Sequence, residues 1–216
     1  TTKQAERQAH VRMSLSEASA GRKAVRGFTL IEALVAVTIV TFATAGPLFT
    51  ANRAIVAAQN ARLQLTASYL AQEGIEYVRA MRDDTYLAAY QAGGANVSNL
   101  AWNEFINGLS SGSITQCRTG TCMLDPTRPM GVGAIGSNNS LQICAGNSCT
   151  PLRLTLLING TYGYTQRPGG TITPFTRTIQ VFNVSTDDER LVSTVSWDFH
   201  GTPYSVTITD HLTPWQ

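Results

Sequence analysis

From Ala33 to Asn52 the chain carries no charged residue, and the run ALVAVTIVTFATAGPLFTAN is mostly apolar. At a helical rise of about 1.5 Å per residue such a run covers about 30 Å, the thickness of a bilayer's hydrocarbon core. Two other elements could carry a similar run. A cleavable secretory signal has a shorter apolar region, about 7–15 residues, ending in a small-residue cleavage site; Ala43-Thr44-Ala45 imitates such a site. A buried core helix has no reason to follow a basic segment. Here residues 1–27 hold Lys3, Arg7, Arg12, Arg22, Lys23 and Arg26 against Glu6 and Glu17, a net charge of +4. This asymmetry fits the positive-inside bias and predicts a membrane-spanning helix. Residues 1–27 are then cytoplasmic and everything after about residue 50 lies outside.

The rest of the chain obeys different rules. Residues 28–216 contain ten arginines, twelve acids and no lysine, a net charge of −2. That balance excludes a nucleic-acid protein built on an extensive basic body, and no nucleic-acid partner is expected. With 43% hydrophobic and 14% charged residues, the composition is that of a folded chain. Its 216 residues suit one globular domain with an appendage.

One carboxylate interrupts the start of the apolar helix. An ionised Glu32 in hydrocarbon costs about 2.5–3.5 kcal/mol on insertion scales, unless it reaches the interface or finds a cation. Its surroundings, Arg26-Gly27-Phe28-Thr29-Leu30-Ile31-Glu32-Ala33-Leu34-Val35, strongly resemble the processing and methylation motif of type IV pilins and type II secretion pseudopilins. The resemblance implies that a prepilin peptidase cuts between Gly27 and Phe28 on the cytoplasmic side. Phe28 then becomes the N-methylated first residue, and Glu32 is the acid of the mature fifth position. It also implies assembly through Phe28 and Glu32, because the freed ammonium of Phe28 on a neighbouring subunit is a cationic partner for the buried carboxylate. The implied partners are other pilin subunits, the peptidase/methyltransferase and an assembly platform in the cytoplasmic membrane. The implied localisation is a single-pass precursor, then an extracellular pilus or pseudopilus. Glu32-Ala33-Leu34-Val35-Ala36-Val37 resembles the openings of minor pilins and minor pseudopilins, and Tyr69-Leu70-Ala71-Gln72-Glu73-Gly74-Ile75-Glu76 is similar to a helix segment of minor pilins of the V type.

Gly46-Pro47 predicts a helix break, since proline lacks an N–H and crowds the carbonyl of Ala43. A simple kink and, by resemblance to pilins, a segment that unwinds in the filament are equal alternatives. Beyond it, Val56, Leu63, Leu70 and Tyr77 recur by sevens with Ala67, Gly74 and Met81 between them, an apolar stripe on a helix reaching roughly Arg82. Gly74 on the stripe predicts close approach by a sheet. Residues 85–150 are rich in Gly, Asn, Ser and Thr, with a weak helix at Leu100–Leu109, and read as a long loop held by staples rather than by a core. Strand signals follow at Leu152–Ile158, Thr176–Ser185, Leu191–Phe199 and Tyr204–His211, with turn signals at Asn159-Gly160 and His200-Gly201-Thr202-Pro203. Trp215 is expected to plug an edge of that sheet.

The fold class is therefore α+β, pilin-like: a long N-terminal helix, membrane-spanning in its first half, packed on a C-terminal antiparallel sheet. Its segments are a leader over 1–27, a membrane and filament-core helix over 28–52, an amphipathic helix over 53–84, a loop-rich region over 85–150 and the sheet over 151–216.

Little chemistry accompanies this fold. Cys117, Cys122, Cys144 and Cys149 form two C-x4-C pairs in an exported region and read as disulfides, with three pairings possible. The local pairs are expected because short loops close readily, whereas crossed pairs would close a longer loop and stabilise more. Zinc sites use tighter spacing and often histidine, and no histidine lies between Tyr86 and Phe199. No metal and no cofactor is expected. There is no G-x-S-x-G, no H-E-x-x-H and no phosphate-binding loop. Asp198 and His200 share a strand face without a placed nucleophile, and Asp187-Asp188-Glu189 reads as a solvated turn lacking a calcium-loop pattern. The expectation is a structural filament subunit and no enzyme. The alternative is a single-span membrane-anchored binding or sensor domain that never polymerises.

Overall fold

The computed structural model describes residues 27–108, 114–133 and 139–215. The expected leader, apart from Gly27, and Leu109 of the weak helix lie outside the described residues. The chain divides into two compact units, Thr1–Ala54 and Ile55–Gln216. Helix α1 (Leu30–Ala92) contributes to both.

In the first unit α1 is lined on every side by exposed apolar side chains, among them Leu34, Val37, Ile39, Phe42 and Phe49. It is long and apolar enough to cross a membrane, and its apolar window is wholly unburied. The hydroxyls of Thr38, Thr41 and Thr44 donate to carbonyls one turn back, at 2.8 Å to Val35, 2.8 Å to Thr38 and 2.9 Å to Val40. These polar groups thus satisfy themselves within the helix, as hydrocarbon requires. The helix runs through Pro47 without interruption. Pro47 withholds one N–H, and the helix spans that lost bond without a change of secondary structure.

In the second unit α1 buries Ala67, Leu70, Ala71, Gly74, Ile75, Val78 and Met81. The predicted stripe thus becomes a core face from Ala67 onward, while Val56 stays 44% exposed. The helix does not stop at Asp83-Asp84. Arg82 pairs with Asp83 at 2.8 Å, and the Thr85 hydroxyl donates to the Met81 carbonyl at 2.7 Å, so the acidic pair is held inside it. The true stop is Gly93, whose φ of 74° is the left-handed conformation a helix end uses.

Residues 85–150 correct the expectation of a loop without a core. They form α2 (Val97–Asn107), α3 (Gln116–Thr119), β1 (Cys122–Leu124), β2 (Val132–Gly133) and β3 (Leu141–Ile143). Trp102, Phe105, Ile106, Ile114, Leu124, Val132 and Leu141 from this region pack with Ile75, Val78 and Met81 in the larger core cluster. Then come β4 (Arg153–Leu156), β5 (Tyr162–Thr165), β6 (Thr171–Ile172), β7 (Thr176–Ser185), β8 (Asp188–Phe199) and β9 (Thr202–Leu212). One sheet has the order β2-β3-β1-β7-β8-β9, antiparallel except for β2 with β3; the other, β5-β4-β6, is antiparallel throughout. The sheet thus draws strands from both sides of residue 150.

The inward face of β7 carries Arg177, Ile179 and Val181, all buried, and period-two alternation made Ile179 and Val181 legible. β8 and β9 pair without a slip from Glu189–Leu212 to Phe199–Thr202. Their link is shorter than the four residues expected: His200 and Gly201, with φ of 55° and 79°, make a two-residue turn of the primed type. Gly74 meets side chains of the sheet rather than its backbone, since a Cβ there would stand 2.6 Å from Ser193 Oγ and 2.7 Å from Ile179 Cδ1.

Arg177 ties these layers together. Its Nη1 donates to the Leu70 carbonyl at 3.1 Å and to Glu73 at 2.6 Å, and its Nη2 donates to the Leu124 carbonyl at 3.1 Å. Burial pushes the guanidinium below its ordinary range, opposed by the nearby Glu73 carboxylate. Trp215 is not an edge plug. Its ring lies 5.7 Å from Tyr86 and under the Arg82 guanidinium at 5.0 Å, and its indole N–H donates to Asp83 at 3.2 Å. The tail is therefore seated on α1.

Candidate functional site

The candidate site is the start of the first unit. Gly27, Phe28 and Thr29 precede α1, and Phe28 is 79% exposed. Gly27 has open space around its Cα. Thr29 caps the helix: its Oγ1 accepts the Glu32 N–H at 3.3 Å, and its carbonyl accepts the Ala33 N–H at 3.1 Å. Thr29-x-x-Glu32 has the spacing of a capping box, a signal present in the sequence that the motif's other residues overshadowed. Glu32 occupies the first turn, where the helix dipole favours a negative charge. Among the described residues no cation stands within ion-pair range of its carboxylate, and its side chain is exposed.

Chemically, this arrangement presents a helix start with an accessible Gly27–Phe28 bond and an exposed acid one turn into an apolar helix. Further along, Gly46 is unobstructed and Pro47 sits inside the helix. The Thr50 hydroxyl donates to the Pro47 carbonyl at 2.9 Å, a bond made one turn from the proline.

The remaining predicted residues lie in the second unit. Cys117 is joined to Cys122 and Cys144 to Cys149, with Cα–Cα distances of 5.5 and 4.8 Å. The first bridge ties α3 to β1 inside the core; the second closes the turn after β3. Asp198 and His200 form no dyad: Asp198 accepts the Gly201 N–H at 2.8 Å, and the His200 ring stands edge-on to Phe199 at 4.3 Å. Asp187-Asp188-Glu189 is not a solvated turn as a whole. Glu189 is buried, paired with Arg118 and accepting from Asn183 at 2.9 Å, while Asp188 pairs with His211 at 2.8 Å. Both acids are consumed by the fold. Among the described residues no three His, Cys, Asp or Glu side chains stand close enough together to hold a metal ion.

A family model described as the prokaryotic N-terminal methylation motif matches residues 22–46. No curated protein and no solved structure matches the chain. The match covers the helix start just described and the apolar run behind it. It supports a type IV pilin-like, membrane-anchored precursor and points to a structural protein. With the methylation motif at the head of a long helix and an antiparallel sheet behind it, the chain carries a type IV pilin-type prepilin signal on a pilin-like α+β fold, consistent with the pilin and pseudopilin family.

Proposed function

We propose that this protein is a structural subunit, not an enzyme, of a type IV pilus-like filament, and a minor one. The observation that carries the proposal is Glu32 lying one turn beyond the Gly27–Phe28 bond on an otherwise uncharged, unburied apolar helix. A mere membrane anchor has no use for either feature. Residues 1–27 are the leader that a prepilin peptidase removes, and 28–52 form the helix that passes from the membrane into the filament core. The filament's cohesion comes from stacking of these apolar helices, and the head forms the outer surface. Its work is adhesion, motility, secretion or DNA uptake through that filament. The minor role is favoured by Glu32-Ala33-Leu34-Val35-Ala36-Val37 and by an irregular head carrying a second, three-stranded sheet. Irregular heads are tolerated best where neighbours do not pack on every side.

Quantifying the chain in sheared filaments tests this reading. We expect it at a few per cent of subunits, with its deletion altering filament number or adhesion. Its appearance as the predominant band would contradict the minor role. Its absence from filaments, with all of it left in the membrane, would favour the anchored sensor domain instead.

A further inference from the structure

The hairpin of β4 and β5 carries apolar side chains that the second unit leaves uncovered. Leu156 and Tyr162 are partners across it, both exposed, and Ile158 in its turn is fully exposed. The turn keeps its polar groups to itself. The Leu157 N–H donates to the Thr161 carbonyl at 2.7 Å, and the Gly160 N–H donates to the Leu157 carbonyl at 2.9 Å. Asn159 Oδ1 accepts the Thr161 N–H at 3.1 Å and the Thr161 hydroxyl at 2.7 Å. An apolar tip over internally bonded polar groups is unfavourable in water and suited to the edge of hydrocarbon.

The packing of the hairpin gives its direction along α1. Just before β4, Leu152 is buried in one core cluster with Ala67, Leu70 and Ala71. Two residues further on, Leu154 pairs with Tyr164, which lines a cavity of about 410 Å³ together with Gln59, Arg62 and Leu63. The hairpin thus runs back toward earlier residues of α1, and Leu63 is eleven positions after Asn52, the end of the uncharged run. Charge follows the same trend. No Asp or Glu lies between Pro126 and Thr186, a stretch with four arginines. Arg153 of β4 is in no ion pair among the described residues. It stands five residues before Ile158, about 17 Å of strand. From tip to base the order is isoleucine, a leucine–tyrosine rung, then arginine. A bilayer takes such groups in that order, as hydrocarbon, interface and anionic headgroups.

We propose that this hairpin docks on the anionic lipid surface of the bilayer that anchors the chain, with Ile158 in the outer hydrocarbon, Leu156 and Tyr162 at the interface and Arg153 at lipid phosphates. The proposal rests on the membrane-anchored precursor and is independent of the filament reading. The test uses the full chain in vesicles of phosphatidylethanolamine and phosphatidylglycerol, at less than one chain per vesicle. The four native cysteines are bridged, so Ile158→Cys, Ala45→Cys and Asp187→Cys each offer one thiol for a nitrobenzoxadiazole label. Quenching by phospholipid with a nitroxide on its acyl chain then reads contact with lipid rather than with protein. The labels at 45, in the apolar run, and at 158 should be quenched, and the label at 187, in the turn between β7 and β8, should not. Leu156→Asp, made in the Ile158→Cys chain, should abolish quenching at 158. Arg153→Gln should lower the ratio of docked to undocked hairpin about fivefold, the effect of one basic residue at an anionic surface. Vesicles of phosphatidylcholine alone should weaken docking as well. Near-UV circular dichroism checks that each variant is folded; Arg153→Gln carries the test if Leu156→Asp is not. Quenching at 158 no stronger than at 187 while 45 is quenched would overturn the proposal. So would unchanged quenching in a folded Leu156→Asp chain, or equal docking on phosphatidylcholine. An unquenched label at 45 would instead remove the anchor itself, and the proposal with it.

Discussion

Replacing Glu32 by valine should leave the chain anchored in the membrane and remove it from filaments. The two effects have opposite signs because the two surroundings treat the carboxylate oppositely. In the lone precursor Glu32 has no cation within ion-pair range among the described residues. An unpaired acid at membrane depth costs about 2.5–3.5 kcal/mol on insertion scales, so its loss leaves insertion intact or improved. In the proposed filament the same carboxylate is expected to face the ammonium of a neighbour's Phe28. Removing one partner of such a pair leaves the other charge buried alone, a penalty of about 3–5 kcal/mol. Incorporation should fall by at least about tenfold, measured as the ratio of this chain in sheared filaments to that in the membrane fraction. Normal incorporation of the valine variant would refute the pairing role of Glu32. Glu32→Gln should fall between the two, since it keeps the shape and the hydrogen-bonding oxygen without the charge.

Arg177 is expected to be the most sensitive position in the second unit. Its guanidinium is fully buried and donates to Leu70, Glu73 and Leu124, so it fastens α1 to β7 and to β1 at once. Arg177→Ala deletes these bonds and leaves a cavity beneath Gly74, where Ile179 and Ser193 also pack. Breaking a buried ionic contact costs about 3–5 kcal/mol; here the lower end applies, because Glu73 is 40% exposed and partly solvated. The expected loss is therefore about 3 kcal/mol, or roughly 6–12 °C in the unfolding temperature of a domain of this size. Arg177→Met fills much of the same space without a charge to desolvate, and should cost less than half as much. Thermal unfolding followed by tryptophan near-UV circular dichroism distinguishes the two, with Trp102 and Trp197 both in the core. Equal destabilisation by alanine and methionine would assign the role of Arg177 to its hydrogen bonds rather than to its volume and charge.

How much of this was legible in the sequence depends on how local each cause is. The strand Thr176–Ser185 was readable to the residue, because alternation of buried and outward side chains is written along its first six positions. Whereas the Gly27–Phe28 bond was marked by resemblance to the pilin motif alone, the apolar helix was readable for a similar reason, since the charge asymmetry, the apolar run and the acid are contiguous. Residues 85–150 were not. Their strands are two or three residues long, too short to carry a period. The end of α1 was misplaced because Asp83-Asp84 resembles a stop, while Trp215 holds Asp83 in place from far along the sequence. The approach of Arg167 to Asp125, 3.9 Å apart, belongs to the same class, since no spacing in the sequence announces that residues 125 and 167 meet. Arg177 shows the limit of composition. A lone arginine in a strand is ordinarily outward-facing, and its burial became visible only once the layers on both sides were in place.

The Gly27–Phe28 bond is proposed as a processing site, with the helix behind it staying in the mature protein. Mass spectrometry of the N-terminal peptide of the assembled or membrane-bound protein measures this directly. The expected peptide begins at Phe28 with one methyl group on its amino nitrogen, and Gly27→Val should give an unprocessed chain that retains residues 1–27. Intact residues 1–27 on the wild-type protein, or a mature start near Gly46 in the manner of a cleaved secretory signal, would contradict it.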